Sequence, residues 1–472
     1  MEDKYSSCII LYPSPGIGHL VPMVELGKLI LHHHPDSFTN IIILITTAPH
    51  LNTNSTAPYM SHVSATTPRI TFHHLPTISL PPNYTVTGTA QIFEVQSLNN
   101  PNLCQALETI SSTPFKIKAF IMDFFCNAAF EISTGLDIPT YYFYPSPASS
   151  LSPHLYLPTI HQNISTSFKD LNAFVQFPGI PPIFSSDVSK SMLDRSTVGY
   201  KCFLDTAAQM AKSDGIIMNT FHGLEPRAIT AISDGLCIPN APTPPIYCIG
   251  PLIAKEKVNS EEHECMAWLN SQPSKSVVFL CFGSLGVFGE EQLKEIAKGL
   301  ENSGHKFLWV IKTTPSQGAT DDADLSTVLP LGFLERTRCM GLVVKSWAPQ
   351  VAVLNHDSVG GFITHCGWNS ILEGVIAGIP MIGWPLYAEQ RLNRVILVEE
   401  LKVGPWLEES DGGNFVTGVE IEKRVKELMD SDNGERMRHR VGKLREAAKA
   451  AITDEDGSSR LALAKLVTKL ME

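Results

Sequence analysis

The 472-residue sequence lacks the long apolar segments and the leader that would mark a membrane or exported protein. No apolar run approaches the ~20 residues that a membrane-spanning helix needs. No basic stretch leads into an apolar one near the first residues. We therefore expect no stable membrane insertion and a cytoplasmic location. Glycine (32) and proline (33) follow no period, which excludes collagen-like and linker-rich chains.

Positive charge is also scarce. The 36 Lys and Arg residues face 47 Asp and Glu residues, which leaves a formal net charge of −11, and no dense basic stripe is present. Because non-specific nucleic-acid binding depends on neutralising many phosphates, we expect no nucleic-acid partner. The charge balance does not exclude a small phosphorylated ligand, which a few backbone N–H groups can bind.

Patterns for disulfides and metal sites are missing as well. None of the ten cysteines is paired as C-x-x-C, and several lie in apolar runs such as Val277–Cys281, which favours buried thiols in a reducing compartment. The triplet D-x-D, which can hold a divalent cation on a diphosphate, occurs at Asp322–Asp324, Asp430–Asp432 and Asp454–Asp456. All three lie in polar segments and none follows a predicted strand. We interpret them as solvated loops and expect no metal and no cofactor.

Apolar β-branched runs alternate with helix-like stretches along the whole chain. The predicted strands of the first half are Cys8–Tyr12, Ile41–Thr46, Ile70–His73, Ala119–Asp123, Thr140–Tyr144 and Gly215–Asn219. Those of the second half are Ser276–Cys281, Phe307–Lys312, Leu342–Lys345, Val359–Thr364 and Met381–Trp384. Strands that alternate with helices indicate parallel sheets built from βαβ units.

A proline-rich, weakly periodic segment separates the two series and indicates a domain boundary. A chain of this length also favours about two domains. We predict two doubly wound α/β domains, at residues 1–240 and 261–450, joined by a linker at 241–260. The charged helical tail, residues 451–472, is expected to pack back on the first domain.

In parallel sheets, ligands bind beyond the carboxyl ends of the strands. In the first half this rule selects the loop that ends in His19 and the strand end Asp123. A histidine oriented by a carboxylate is a general-base arrangement; a helix cap and a turn are the alternative interpretation. Gly16, Gly18 and Val21 form G-x-G-x-x-V, a weak dinucleotide pattern that leaves an NAD(P)-dependent oxidoreductase as another alternative.

The most specific pattern runs from Trp347 to Gln390. A buried strand ends in the turn His365–Gly367, and Asn369 and Ser370 then begin a helix whose free N–H groups and dipole favour a diphosphate. Glu373 lies one turn further on the same face, where it can accept hydrogen bonds from both hydroxyl groups of a ribose. Trp347 offers a flat apolar face to a uracil ring.

This 44-residue segment closely resembles the signature box of the plant family 1 UDP-glycosyltransferases. The matching residues are Trp347, Gln350, His365, Gly367, Trp368, Asn369, Ser370, Glu373, Pro380, Pro385, Glu389 and Gln390. The Pro-Ser-Pro-Gly-Ile-Gly-His opening, Asp123 and Phe282–Ser284 extend the resemblance over the chain. The opening and Met122–Cys126 look most like enzymes that act on flavonoids, chalcones or related phenols.

The resemblance implies a GT-B type fold, in which two Rossmann-like domains face each other across a cleft. It implies that His19 is the general base, that Asp123 orients it, and that the chain is a monomer that needs no metal. The UDP-sugar-binding residues would be Gly18, Ser284, Trp347, Ala348, Gln350, His365, Gly367, Trp368, Asn369, Ser370, Glu373, Tyr387, Glu389 and Gln390. Candidate acceptor contacts are Pro15, Gly16, Phe124 and Tyr144, with core packing as the alternative for the two aromatic residues.

Two positions in the box bear on the sugar. In the family a final glutamine, here Gln390, usually accompanies UDP-glucose, and Trp368 stands where some UDP-glucuronic acid enzymes have arginine. The resemblance thus implies transfer of β-glucose with inversion to a small aromatic acceptor. C-glucosylation of an electron-rich phenol ring and a non-catalytic sugar-nucleotide binder stay open as alternatives.

Overall fold

The computed structural model describes residues 6–48, 56–80, 86–254, 263–312, 325–410 and 415–472. The triplet Asp322–Asp324 and residues 255–260 of the predicted linker lie outside these ranges. The chain divides into two compact units: unit 1 is Met1–Ala254 with Ala450–Glu472, and unit 2 is Lys255–Lys449. In the part of the chain that the structure describes, no helix is long and apolar enough to cross a membrane.

Unit 1 is built on a seven-stranded parallel sheet with the strand order β3-β2-β1-β4-β5-β8-β9. Its strands are β1 (Ser6–Tyr12), β2 (Asn40–Ile45), β3 (Ile70–His74), β4 (Phe115–Asp123), β5 (Thr140–Tyr144), β8 (Gly215–Met218) and β9 (Ile246–Cys248). A small antiparallel ribbon is formed by β6 (Phe174–Val175) and β7 (Ile183–Phe184). The apolar runs of the sequence thus form the predicted parallel sheet, and its strands β1, β5 and β8 are buried on both faces.

Helices connect the strands of unit 1. They are α1 (Ile17–His33), α2 (Thr56–Thr66), α3 (Thr89–Leu98), α4 (Asn100–Ser111), α5 (Phe130–Gly135), α6 (Ala148–Asn163), α7 (Phe168–Leu171), α8 (Val198–Met210), α9 (Pro226–Ser233) and the C-terminal α19 (Ser458–Met471). The apolar side chains of α1 and α19 share one core with β1 and β2. In α19 these are Leu463, Leu466, Val467 and Leu470, a spacing of three and four residues that buries one helix face.

Part of the segment predicted as linker, residues 241–260, belongs to the first sheet. Ile246–Cys248 pairs in parallel with β8 and forms the edge strand β9. The linker prediction is therefore wrong for these residues. A strand of three residues directly after Pro244 and Pro245 is too short to show the alternation by which strands are recognised in a sequence.

Unit 2 contains a five-stranded parallel sheet with the order β12-β11-β10-β13-β14. Its strands are β10 (Val277–Cys281), β11 (Lys306–Ile311), β12 (Gly341–Lys345), β13 (Val359–Thr364) and β14 (Met381–Gly383). Its helices are α10 (Glu264–Asn270), α11 (Glu290–Ser303), α12 (Leu325–Val328), α13 (Phe333–Arg336), α14 (Gln350–Leu354), α15 (Trp368–Ala377), α16 (Gln390–Val395), α17 (Gly418–Asp430) and α18 (Asp432–Thr453). The prediction of two doubly wound α/β domains is confirmed.

Each sheet has a point where the strand order reverses, at β1 in unit 1 and at β10 in unit 2. In unit 1, β1 lies between β2 and β4, so the loops after β1 and β4 leave the sheet side by side. In unit 2 the loops after β10 and β13 do the same. Ligands of doubly wound sheets bind at such crevices, which directs attention to these four loops.

Candidate functional site

His19 and Asp123 meet at the crevice of unit 1. The register of β1 and β4 pairs Tyr12, the last residue of β1, with Met122. Asp123 follows Met122 and therefore lies just beyond the end of β1. The chain turns after β1 through Gly16, whose φ of 109° strongly favours glycine, and α1 then begins at Ile17. His19 lies in the first turn of that helix, at the same edge of the sheet.

The two side chains are joined by a hydrogen bond of 2.7 Å between His19 Nδ1 and Asp123 Oδ2. Asp123 is fully buried, and its Oδ1 accepts a hydrogen bond of 3.0 Å from the backbone N–H of Phe125. An ionised carboxylate only accepts hydrogen bonds, so Nδ1 of His19 carries the hydrogen and Nε2 has the lone pair of a base. This pair can remove a proton from a hydroxyl group and then stabilise the imidazolium that forms.

Aromatic rings surround His19 in unit 1. Phe125 lies 5.3 Å from the imidazole between ring centroids, and Phe124 lies 6.3 Å from it. Phe124 and Tyr144 are only 5% and 4% exposed, so they are largely core residues, whereas Phe125 is half-buried. Of the other predicted acceptor contacts, Pro15 and Gly16 are half-buried in the loop before α1.

His154 belongs to the same aromatic layer. Its ring stacks on Phe203 at 4.6 Å, and its Nε2 hydrogen-bonds to the carbonyl of Phe203 at 3.0 Å. Burial lowers the pKa of His154 to about 4, although that hydrogen bond opposes the shift. An unfolded chain would bind this proton near pH 6.5, so the native state loses stability as the pH falls from above 6.5 towards 4.

We expect His154→Gln to reduce this acid sensitivity, because glutamine does not titrate and its amide can still donate to the Phe203 carbonyl. Urea unfolding at about pH 7.5 and about pH 5 should show a drop in the free energy of unfolding that is about 2 kcal/mol smaller than in the parent. The exposed His222 provides the control, since His222→Gln should leave the drop unchanged. Equal drops for His154→Gln and the parent would contradict the expectation.

His365 lies at the crevice of unit 2, in the turn after β13. Its ring is held between two glycines: a Cβ atom added at Gly283 or at Gly367 would come within 2.5 Å of His365 Nε2. The register of β10 and β13 pairs Cys281 with Thr364 and so brings the two turns together. Burial, reinforced by the positive charge of Lys312, lowers the pKa of His365 to about 4. Neutral His365 can therefore donate a hydrogen bond to an anion without bringing a charge of its own.

Helix α15 begins next to that turn, with Gly367 as its N-cap and Trp368, Asn369 and Ser370 in its first turn. Four backbone N–H groups at a helix start have no intrahelical partner, and together with the helix dipole they favour an anionic group. The indole of Trp368 is 3% exposed, so this residue offers its backbone rather than its side chain to a ligand. Ser284, from the loop after β10, is exposed.

Gln350 connects the predicted ribose and phosphate residues. Its Nε2 donates hydrogen bonds of 2.9 Å to Ser370 Oγ and 2.6 Å to Glu373 Oε2. Trp347 follows β12, and 51% of its surface is exposed, so a face of the indole is available to a planar ring. Ala348 is buried beside it. The structure thus brings the predicted uracil, ribose and phosphate residues to one edge of one sheet.

The predicted sugar residues form a second connected group. Gln390 Oε1 accepts hydrogen bonds from the backbone N–H groups of Leu386 and Tyr387, each at 2.9 Å. Burial raises the pKa of the Tyr387 hydroxyl, and the side chain of Gln390 opposes this shift. Only the amide nitrogen of Gln390 therefore has capacity left for a sugar hydroxyl. Glu389 is half-buried at the start of α16.

Groups of three or more His, Cys, Asp or Glu side chains arranged to hold a metal ion do not occur among the described residues. Two of the D-x-D triplets can be placed. Asp430 ends α17 and pairs with His305 at 3.0 Å, and Asp454–Asp456 follows α18 on the surface. Neither triplet lies at the carboxyl edge of a strand.

Sequence reasoning missed two residues at the site of unit 2. Asn393 is fully buried and donates to the Cys366 carbonyl at 2.9 Å and to Glu389 Oε1 at 3.3 Å, which ties the turn after β13 to α16. Lys312 follows β11 directly and donates to the Gly283 carbonyl at 2.7 Å. Its position at a strand end is the signal that could have identified Lys312, because the rule that selected the loops also applies to it.

Known proteins with similar sequences and structures match the chain over nearly its full length. Residues 236–404 match the family described as "UDP-glucoronosyl and UDP-glucosyl transferase". The chain is 54% identical to UDP-glycosyltransferase 88B1 of Stevia rebaudiana, covering 98% of each, and 50% identical to the anthocyanidin 5,3-O-glucosyltransferase of a Rosa hybrid cultivar, covering 97% and 98%. The structure of Medicago truncatula UGT71G1 complexed with UDP-glucose superimposes with a TM-score of 0.87 at 34% identity and complete coverage of both chains.

Proposed function

The chain belongs to the family 1 UDP-glycosyltransferases of plants, and from this premise we propose that it transfers glucose from UDP-glucose to a phenolic hydroxyl group. The observation that carries the proposal is the hydrogen bond of 2.7 Å between His19 and the buried Asp123. A protein that only bound sugar nucleotides through unit 2 would not need a general base at the carboxyl edge of the unit 1 sheet. The proposed acceptor is a flavonoid, chalcone or related phenol.

On the acceptor side, His19 Nε2 takes the proton of the phenol while Asp123 stabilises the imidazolium. A phenol has a pKa near 10, so a modest base is sufficient near neutral pH, and alignment supplies much of the remaining rate. The half-buried Phe125 offers an apolar ring beside the base for a planar acceptor.

On the donor side, Trp347 stacks on the uracil, and Gln350 and Glu373 bind the ribose. Ser284, His365 and the start of α15 bind the diphosphate, and no metal ion is needed for this. The contacts that support this assignment are those of Gln350 with Ser370 and Glu373, which place the ribose residues next to the helix start.

In the proposed step the phenol oxygen forms a bond to the anomeric carbon of glucose from the face opposite UDP. The bond between that carbon and the β-phosphate oxygen breaks, and its electron pair leaves with UDP. The phenol proton goes to His19, so charge and atoms balance. The product is a β-glucoside formed with inversion.

Two arguments support glucose and an oxygen acceptor. Gln390 ends the signature box, where glutamine usually accompanies UDP-glucose, and UGT71G1 was solved with that donor. The 50% identical rose protein is named as an O-glucosyltransferase of anthocyanidins, which are polyphenols. C-glucosylation uses the same base, so the stability of the product to acid hydrolysis separates the two, because only an O-glucoside is cleaved.

The proposal is tested with purified protein, UDP-glucose and a panel of flavonoids and chalcones in buffer that contains EDTA. Mass spectrometry should find a product that is one hexose heavier than the phenol, in amounts equal to the UDP released. UDP-galactose and UDP-glucuronic acid serve as donor controls and should react more slowly. Binding of UDP-glucose without any product across the panel would instead favour a non-catalytic binder.

A further inference from the structure

We propose that Lys312 is a diphosphate-binding residue that offsets the negative charge of the UDP leaving group. This inference rests on the proposed function, because it concerns the same donor site. Lys312 is the first residue after β11, and β11 is hydrogen-bonded to β10 at the centre of the sheet. Its ammonium therefore lies at the carboxyl edge that carries Ser284 and His365.

Two contacts that share Gly283 place the ammonium at that edge. Lys312 Nζ donates to the carbonyl of Gly283 at 2.7 Å, one residue before Ser284. The pKa of His365 is lowered chiefly by burial, and the positive charge of Lys312 adds to this shift. His365 itself contacts Gly283, where an added Cβ atom would lie 2.5 Å from Nε2. Lys312, Gly283 and His365 thus form one cluster.

Lys312 is the positively charged member of this cluster. Lys312 is half-buried, and burial lowers its pKa, which means that the ammonium has lost hydration. Within the described ranges, no carboxylate lies at ion-pair distance from it. The nearby Cys281 thiol is neutral near pH 7, because burial raises its pKa to about 11. A partly desolvated cation without a counter-ion favours an anionic ligand.

A diphosphate supplies that counter-ion. The neutral His365 and the N–H groups of α15 donate hydrogen bonds but bring no full charge. As the bond to the anomeric carbon breaks, negative charge grows on the β-phosphate oxygen, and a fixed ammonium stabilises this charge without a metal ion. Lys312 should therefore contribute to kcat as well as to UDP affinity.

The test compares the binding of UDP and uridine by isothermal titration calorimetry. Lys312→Met should weaken UDP about 10–100-fold, as expected for loss of a charge-assisted hydrogen bond, and change uridine affinity less than about twofold. Lys312→Arg should restore most of the UDP affinity. Lys298→Met is the matched control, because Lys298 lies exposed on α11 and pairs with Glu295. It should bind UDP like the parent.

A second measurement separates the charge from a role in holding the Gly283 turn. If Lys312 only positions Ser284 through that turn, Lys312→Met and Ser284→Ala should not be additive in UDP affinity. If Lys312 and Ser284 each contact the diphosphate, the losses of UDP affinity in the two variants should add. UDP binding by Lys312→Met should then also depend less on salt concentration than UDP binding by the parent. Kinetics should show a larger fall in kcat than rise in KM for UDP-glucose.

Three results would overturn the inference: unchanged UDP affinity in Lys312→Met, an equal loss of UDP and uridine affinity, or effects of Lys312→Met and Ser284→Ala that are not additive. Should Lys312→Met fold poorly, Lys312→Gln serves instead, since its amide removes the charge and keeps a donor near the Gly283 carbonyl. Failure of the proposed function would look different, because then the parent protein itself would neither bind UDP nor transfer glucose.

Discussion

Replacement of His19 by alanine should lower kcat on the order of 10²–10⁴-fold, the usual contribution of a general base. The affinity for UDP-glucose should stay within about twofold, because His19 belongs to unit 1 and the residues proposed to bind uracil, ribose and diphosphate belong to unit 2. Steady-state kinetics with a phenol acceptor and a calorimetric titration with UDP would measure the two effects separately.

Asp123→Asn tests the orientation of the base. Asparagine can keep the hydrogen bond to the N–H of Phe125 through its oxygen, but its NH₂ group then faces His19 Nδ1. That contact favours the tautomer with hydrogen on Nε2, which cannot accept the phenol proton. We expect a loss of kcat comparable to that of His19→Ala, with the fold intact.

A control for both variants is His32→Ala, at the exposed far end of the same helix α1, which should retain full activity. Near-parental turnover of His19→Ala with an ordinary phenol would remove His19 from the mechanism. Loss of UDP binding together with turnover would indicate misfolding rather than a missing base.

Gly283→Ala should lower the UDP affinity about 10–100-fold, the effect of losing a hydrogen bond to a charged group, and should also destabilise the protein. The residue has a φ of 72°, where a side chain costs on the order of 1 kcal/mol or more. The new Cβ atom would lie 2.5 Å from Nε2 and 2.7 Å from Cε1 of His365, so the imidazole must move. Calorimetry with UDP and thermal unfolding would measure both losses.

Two further glycines separate the causes. Gly367→Ala produces the same 2.5 Å approach to His365, but its φ of −64° is ordinary, so it tests the steric effect without backbone strain. Gly289→Ala, in the loop between β10 and α11, meets nothing within 4 Å and has a φ of −68°. It should bind UDP like the parent. Parental UDP affinity in both Gly283→Ala and Gly367→Ala would mean that His365 does not bind the donor.

The signature box identified the family correctly, and the strand and loop rule located both sheet edges. The sequence says less about the orientation of individual side chains. Trp368 and Tyr144 are predicted ligand contacts, and their side chains are 3% and 4% exposed in the structure. Local sequence places a residue at a strand end or helix start, but it does not tell which way a ring turns. Packing decides this, because large aromatic side chains fill the space that neighbouring elements leave.

Lys312 and Asn393 were missed for a related reason. Their partners, Gly283 and Cys366, lie 29 and 27 residues away. A lysine after a strand and an asparagine within a helix are ordinary by themselves. Only the contacts of these two side chains in the folded protein show that they belong to the site of unit 2.

The sequence by itself determined the two parallel sheets, through buried β-branched runs that alternate with helices, and the family, through the spacing within one 44-residue segment. The tertiary structure decided the atomic contacts between distant residues. The contact of His19 with Asp123, which the sequence predicts, spans 104 residues and depends on the pairing of β1 with β4, and His365 fits against Gly283 because β13 pairs with β10. Such contacts depend on the register of strands that are not adjacent in the chain, and local propensity does not encode that register.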